Sequence, residues 1–268
     1  MGILEEIVEG PNYGEIEQQI AKFMEDFLAR TGARGYVIGL SGGVDSTAAA
    51  YLAVRAVGPE RVHALLLPDR EATPSEDLED AKWVAEKLGI SYTLVEINDI
   101  YESFLRSMPF RQLENKVANG NLKVRIRMCM LYYYANSRNC LVIGTSDRSE
   151  ILIGYYTKWG DGASDLIPLG GLFKTQVRKL AEHMGVPKRI AYKPSSPRLW
   201  KGHMAEEELG ASYEVIDQVL YCLFDKGYDL EETAKATGFS LETVKKIYEM
   251  YLRSSHKRSL PPAPELRW

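Results

Sequence analysis

"VIGLSGGVDSTAAAYLA", residues 37–53, runs from an apolar strand-like segment through a pair of glycines into an alanine-rich helical one. Gly42 and Gly43 permit positive φ and let backbone N–H groups approach a ligand with no Cβ between them, while Ser41 and Ser46 add hydroxyl donors. A helix beginning near Asp45 aims its positive dipole end and unpaired N–H groups into the same space, which stabilises a phosphate. Asp45 would repel a bare phosphate, so its position suggests a divalent cation bridging carboxylate and phosphates. The plainer reading is a glycine turn with Asp45 or Ser46 as a helix cap, but a cap requires neither two glycines nor flanking serines. No lysine follows the glycines as in G-x-x-x-x-G-K-[ST], which disfavours transfer of a terminal phosphate.

The segments around this stretch set the fold. Residues 35–40, 61–68, 91–97 and 140–145 are short and apolar or β-branched, and each is followed by helix-like sequence. Such alternation predicts a doubly wound, mostly parallel α/β sheet flanked by helices, with ligands at the carboxyl ends of the strands. Ile16, Ile20, Phe23, Met24, Phe27 and Leu28 recur at helical spacing before Gly32, predicting a first amphipathic helix over 15–31. Beyond about residue 172 the pattern turns helical: "KTQVRKLAEHMG", then "MAEEELGASYEVIDQVLYCLFDKG", then two shorter helices to Arg253, then an extended proline-rich end. The expectation is one domain over 1–268, with an α/β core at 15–185 and a helical extension at 186–268.

The chain has 268 residues, 45% of them apolar, and a formal charge of −4, in the range of an ordinary soluble globular protein. No basic stripe dominates, so small molecules are expected as partners, with no nucleic acid and no membrane. Residues 229–253 have a helix-turn-helix cadence, yet the second helix sets only Lys245, Lys246 and Arg253 against Glu242 and Glu249, which favours packing over DNA binding. Cys129, Cys140 and Cys222 have no metal-type spacing and are expected as free thiols in a reducing compartment. With no leader-like start, the expected location is the cytoplasm.

"SGGVDS" after a strand resembles the pyrophosphate loop of the ATP pyrophosphatase superfamily, which cleaves ATP to AMP and pyrophosphate while adenylating an acceptor. Three longer stretches, "GNLKVRIRMCMLYYYA" (120–135), "VIGTSDRSEILIGYYTKWGDGASDLIPLGGLFKTQVRKLA" (142–181) and "HKR" (256–258), are similar to the ammonia-dependent NAD synthetases. The resemblance runs from about residue 15 to 260. It implies an adenine nucleotide alpha-hydrolase-like fold and amidation of deamido-NAD by ammonia through an acyl-adenylate, giving NAD, AMP and pyrophosphate. It also implies magnesium as cofactor and a homodimer, with "RMCMLYYYA" as an interface element or plain core.

The resemblance assigns residues as well. ATP falls to Gly39, Leu40, Ser41, Gly42, Gly43, Val44, Asp45 and Ser46, with Thr145, Lys174 and Ser196; apart from the resemblance, Arg70 just beyond the second strand stands where a sheet-end loop could also reach ATP. Magnesium falls to Asp45 and Glu150. Deamido-NAD falls to Arg125, Lys158, Asp165, His256 and Lys257. Asp161 in "GDGASD" reads alone as a turn; in this setting it is a candidate for holding ammonium and taking its proton, since only neutral ammonia has the attacking lone pair. Lys174 is the second catalytic candidate.

The chain departs from the family pattern at Pro197 and Arg198, where Ala-Asp or Ala-Gly is usual, and at "GHMAEEELG" (202–210), where "GQ.DE.E" is common. Only about 30 residues precede the first strand, less than an amidase domain needs, so free or externally supplied ammonia is the expected nitrogen source. Another adenylating pyrophosphatase with a tRNA or nucleobase acceptor, or a nucleotide-binding regulator without turnover, are the alternatives.

Overall fold

The computed structural model describes residues 2–266. Its centre is a four-stranded parallel sheet of β1 (Gly35–Gly39), β2 (Val62–Leu66), β3 (Ser91–Leu94) and β4 (Cys140–Ile143), in the order β3-β2-β1-β4. Tyr36 pairs with Val62 on one side and with Leu141 on the other. The expected strands are all present, each slightly shorter than its apolar run.

Alternation along β1 shows why the sheet is covered on both faces. Tyr36 and Ile38 enter one core with Met24 and Leu28 of α2 (Tyr13–Thr31) and Ala48 and Leu52 of α3 (Val44–Val57). Val37 enters the opposite core with Ile126 and Ala135 of α6 (Lys116–Arg138). A side chain buried in this way contributes roughly 1.5–3 kcal/mol, so both layers are held chiefly by apolar area. The Tyr36 hydroxyl keeps a partner inside the core, donating to the Met24 carbonyl at 2.6 Å. Helices α4 (Ser75–Leu88) and α5 (Asn98–Ser107) complete the crossovers on either side of β3.

From β1 the chain steps outward to β2 and β3, then returns to place β4 on the other side of β1. Strand order therefore reverses between β1 and β4, and a crevice opens at their carboxyl ends. The loops after these two strands carry Leu40–Gly43 and Gly144–Asp147 into it.

A second core lies beside the sheet. It joins α1 (Ile3–Glu9), α7 (Arg148–Ile153), the start of α8 (Lys174–His183), α10 (Ala205–Leu209), α11 (Tyr213–Phe224), α12 (Leu230–Thr237) and α13 (Leu241–Arg253). The short α9 (Lys188–Ala191) belongs with the sheet core. Ile7 of α1 packs with Val219 and Leu220 of α11, and Gln176 donates to the Ile7 carbonyl at 3.0 Å, so this core draws on both ends of the chain. The stretch read as one helix over 204–227 is two, because Gly210 ends α10 at φ 69° and Ser212 starts α11. In the helix-turn-helix stretch Val244 and Ile247 are buried in this core. Among the described residues no helix is long and apolar enough to cross a membrane.

Candidate active site

The glycine loop closes the carboxyl end of β1. Gly42 adopts φ +79°, and a Cβ there would lie 2.1 Å from the Asp77 carbonyl oxygen. Gly43 does not need the left-handed region expected for it: it stands at φ −87° as the N-cap of α3. Its missing side chain leaves the helix N-terminus open. Ser41 and Ser46 hydroxyls lie 3.0 Å apart, and Ser46 also accepts from the Ser41 N–H at 3.2 Å, which ties the loop to the helix.

Asp45 is not a cap. Its Oδ2 lies 2.7 Å from Nζ of Lys174, which is fully buried at the first position of α8. The same ammonium lies 2.9 Å from Glu150 Oε1 and 2.9 Å from Asp147 Oδ2. Burial disfavours the charge of Lys174, but Asp147, Asp45 and Glu150 outweigh it and hold the ammonium well above the usual lysine range. Burial also pushes Glu150 well above the usual carboxylate range; Lys174 opposes this, and the like charges of Asp147 and Asp45 add to it. The face of Tyr213 covers the ammonium, with its ring centre 5.0 Å away.

Asp147 was absent from the residues expected. It is the N-cap of α7, accepting from the Glu150 N–H at 2.9 Å, while Glu150 reaches back to the Asp147 N–H. The signal was the D-x-x-E spacing itself, a helix-start signature whose second carboxylate oxygen only the tertiary structure aims at Lys174. Carboxylate oxygens of Asp45, Asp147 and Glu150 lie within 4.8 Å of one another. Buried Asp45 Oδ1 lacks a hydrogen-bond partner among the described residues, and buried Asp147 Oδ2 meets the Lys174 ammonium at 2.9 Å. Three clustered carboxylates, one with an unpartnered buried oxygen, fit a cation of the magnesium type.

A cavity of about 450 Å³ opens in front of this cluster. Of the residues expected at ATP, Gly39, Leu40, Ser41, Gly43, Val44, Asp45, Ser46, Thr145 and Ser196 line it, as does Glu150. Gly42 supports the loop from behind, and Lys174 lies beneath Asp45 and Glu150. Arg70 stands apart: it is exposed, paired with Glu96 at 2.8 Å and Asp99 at 2.7 Å. Asp161 and Lys257 line the cavity. Asp161 accepts from the Thr157 N–H at 2.7 Å, so it is a turn residue as well as a cavity one.

Arg125, Lys158 and His256 form a chain outside the cavity lining. Arg125 donates to the Lys158 carbonyl at 3.1 Å, and Lys158 Nζ donates to the His256 carbonyl at 2.5 Å. Lys257 Nζ donates to the carbonyls of Gly154 and Tyr156 at 2.6 and 2.7 Å, fixing the C-terminal turn at the rim. Asp165 is turned to the sheet, where its Oδ2 accepts from the Val142 N–H at 2.7 Å.

The segment 193–204 borders the cavity and contains the first departure from the family pattern and the start of the second. Lys193 donates to Gly42 O, Asp77 and Asp80 at 3.1, 2.9 and 2.6 Å. Arg198, at φ 50°, pairs with Asp77 at 2.7 Å. The guanidinium thus compensates a backbone region that favours glycine. Ser196 donates to the His203 carbonyl, and the His203 ring stacks on Trp200 at 3.6 Å while Nε2 meets Glu208 at 2.7 Å. Arg127, also absent from the expected set, lines the cavity and donates through Nε to the Leu67 carbonyl at 2.9 Å.

A cavity with a glycine loop, three carboxylates and a buried lysine at a strand-order reversal suits a nucleotide with its cation. Comparison with known proteins agrees. The family model NAD synthase matches residues 16–261. The NH3-dependent NAD synthetase of Hyperthermus butylicus is 54% identical over 254 residues, covering 95% of this chain and 91% of the relative. Among solved structures, the NMN synthetase of Francisella tularensis is 37% identical with a TM-score of 0.84, covering 96% of this chain and 100% of that one. The NH3-dependent NAD synthetase of Campylobacter jejuni is 30% identical with a TM-score of 0.80, covering 95% and 100%. The chain therefore belongs to the NAD synthase family, as an ammonia-dependent ligase that forms NAD.

Proposed function

We propose that the enzyme uses ATP and free ammonia to amidate deamido-NAD through an acyl-adenylate. The observation that carries this reading is the Lys174 ammonium set among Asp45, Asp147 and Glu150 beside the glycine loop. The nicotinate carboxylate is a poor electrophile. Its oxygen attacks the α-phosphorus of ATP, the bond to the β-phosphate breaks, and pyrophosphate leaves. Ammonia then attacks the acyl carbon, and AMP leaves with one carboxylate oxygen.

Residues of this chain supply position and charge. The N–H groups at the start of α3 and the loop hydroxyls cradle the phosphates, and the permanently charged Lys174 stabilises the departing pyrophosphate. Asp45, Asp147 and Glu150 would hold magnesium, which when bound neutralises phosphate charge. Asp161, at the cavity wall, holds the incoming ammonium and takes its proton. Lys257, with Lys158, Arg125 and His256 behind it, provides cationic support for the dinucleotide pyrophosphate. Segment 193–204 excludes water that would otherwise hydrolyse the adenylate. A second copy of the chain packs on the outer face of α6, where Tyr133 is 79% exposed and Cys129, one turn before it, is exposed as well.

The likeness to the Francisella tularensis NMN synthetase favours testing a mononucleotide acceptor as well. The experiment is AMP release from ATP and magnesium with deamido-NAD or nicotinate mononucleotide, each with ammonium or glutamine. Joint appearance of AMP and NAD with deamido-NAD and ammonium, and not with glutamine, supports the reading. Turnover confined to the mononucleotide would replace the acceptor, and ATP binding without AMP from either would overturn the ligase reading.

A further inference from the structure

Asp217 of α11 is fully buried, and no lysine or arginine pairs with it among the described residues. It accepts from the Ser149 hydroxyl at 2.5 Å and from the Thr175 N–H at 2.9 Å. Ser149 Oγ in turn accepts from the Lys174 N–H at 2.9 Å. Ser149 precedes Glu150 in α7, and Thr175 follows Lys174 in α8.

This arrangement answers a need in α8. The first N–H groups of a helix have no partners within it, and the N-cap here is Phe173, whose side chain offers no oxygen. Ser149 and Asp217 supply the missing acceptors from two other helices. Burial of an unpaired carboxylate is costly, and it pushes Asp217 up to about 7 against the hydrogen bonds from Ser149 and Thr175. An apolar residue would avoid that cost but leave the Thr175 N–H and the Ser149 hydroxyl without acceptors.

We propose that Asp217 is a positioning residue for the adenylation step, fixing the starts of α7 and α8 to each other through Ser149 and Thr175. The relay thereby sets the 2.9 Å relation between Lys174 Nζ and Glu150. Lys174 must meet charge developing on the leaving pyrophosphate, and a helix end free to shift by about 1 Å would cost on the order of a hundredfold in rate. The relay also links α11 of the second core to chemistry at the sheet. This inference rests on the ligase reading above.

The test compares Asp217→Asn, Ser149→Ala and the double variant in the full chain, reading kcat, the KM values for ATP and deamido-NAD, and thermal stability. Each single variant should lose at least tenfold in kcat per folded enzyme, with the deamido-NAD KM within twofold of the parent. The double variant should be no worse than Asp217→Asn, because both changes break one relay. Should Asp217→Asn not fold, Ser149→Ala, which leaves the Asp217–Thr175 bond in place, gives the same kcat reading. Unchanged kcat per folded enzyme with lowered thermal stability would overturn the proposal, leaving Asp217 as a helix cap alone. Multiplicative losses in the double variant would overturn it too. A parent enzyme silent with deamido-NAD would instead overturn the substrate reading, and the positioning role of Asp217 in adenylation with it.

Discussion

Lys174 Nζ lies 2.7 Å from Asp45 Oδ2, although the two residues are 129 positions apart and stand at the starts of different helices. Two helix N-termini, each a region of positive potential, converge with a lysine on one small volume. Asp45, Asp147 and Glu150 make that convergence tolerable. Removing the lysine would leave three carboxylates facing one another.

Lys174→Met should therefore destabilise the metal-free protein by about 3–5 kcal/mol, as breaking a buried ion-pair network does. Magnesium should restore more stability to the variant than it adds to the parent. Urea unfolding with and without magnesium checks both, and equal metal-free stabilities would contradict the account.

Gly42→Ala forces a Cβ toward the Asp77 carbonyl at a φ of +79°. A strained backbone of this kind costs on the order of 1–3 kcal/mol, and the displaced loop should weaken ATP binding by about tenfold or more. Gly43→Ala meets nothing closer than Ser41 Oγ at 3.5 Å and should keep the parent's fold stability within about 0.5 kcal/mol. Calorimetric ATP titration and thermal unfolding separate the two.

Asp147→Asn keeps a good helix cap and removes a charge. Affinity for manganese as a magnesium probe should fall on the order of tenfold to a hundredfold, with little change in helical content. Electron paramagnetic resonance titration of free manganese measures this. An unchanged affinity would remove Asp147 from the cation site.

His63 supplies a pH test remote from the chemistry. Its ring nitrogens meet Ser91 Oγ at 2.8 Å and Thr93 Oγ1 at 2.9 Å, and its ring stacks on Tyr134. Burial first, then the charge of Arg138, lowers its pKa below 6.5. The folded state thus favours the neutral ring. Its contribution to stability is present above the unfolded value near 6.5 and is lost as pH falls through the lower folded value. His63→Gln should flatten stability between about pH 6.5 and 5 relative to the parent. Identical slopes would show that the ring titrates as it does in the unfolded chain.

Sheet strands and the glycine loop were legible because both are local patterns: β1 is a continuous apolar run, and Gly42 precedes a helix start. Residues 204–227 misled because Gly210 lies inside an otherwise helical cadence, where only its left-handed φ marks the break. Asp147 escaped notice since its spacing to Glu150 reads as a cap, which it also is; its second role depends on Lys174 arriving from α8. Arg70 is expected near ATP because it follows a strand; in the structure it pairs with Glu96 and Asp99 and is not among the cavity-lining residues. Asp217 and Arg127 carried no local pattern at all. Their roles arise from helices that meet only in the folded chain.

The most direct test of the adenylation account is to follow oxygen. Deamido-NAD labelled with oxygen-18 in its nicotinate carboxylate is turned over with ATP, magnesium and ammonium, and the AMP and pyrophosphate are examined by mass spectrometry. The account predicts that AMP acquires one label and pyrophosphate none, since the carboxylate oxygen attacks the α-phosphorus and leaves with it. Label in pyrophosphate, or AMP without label, would contradict it.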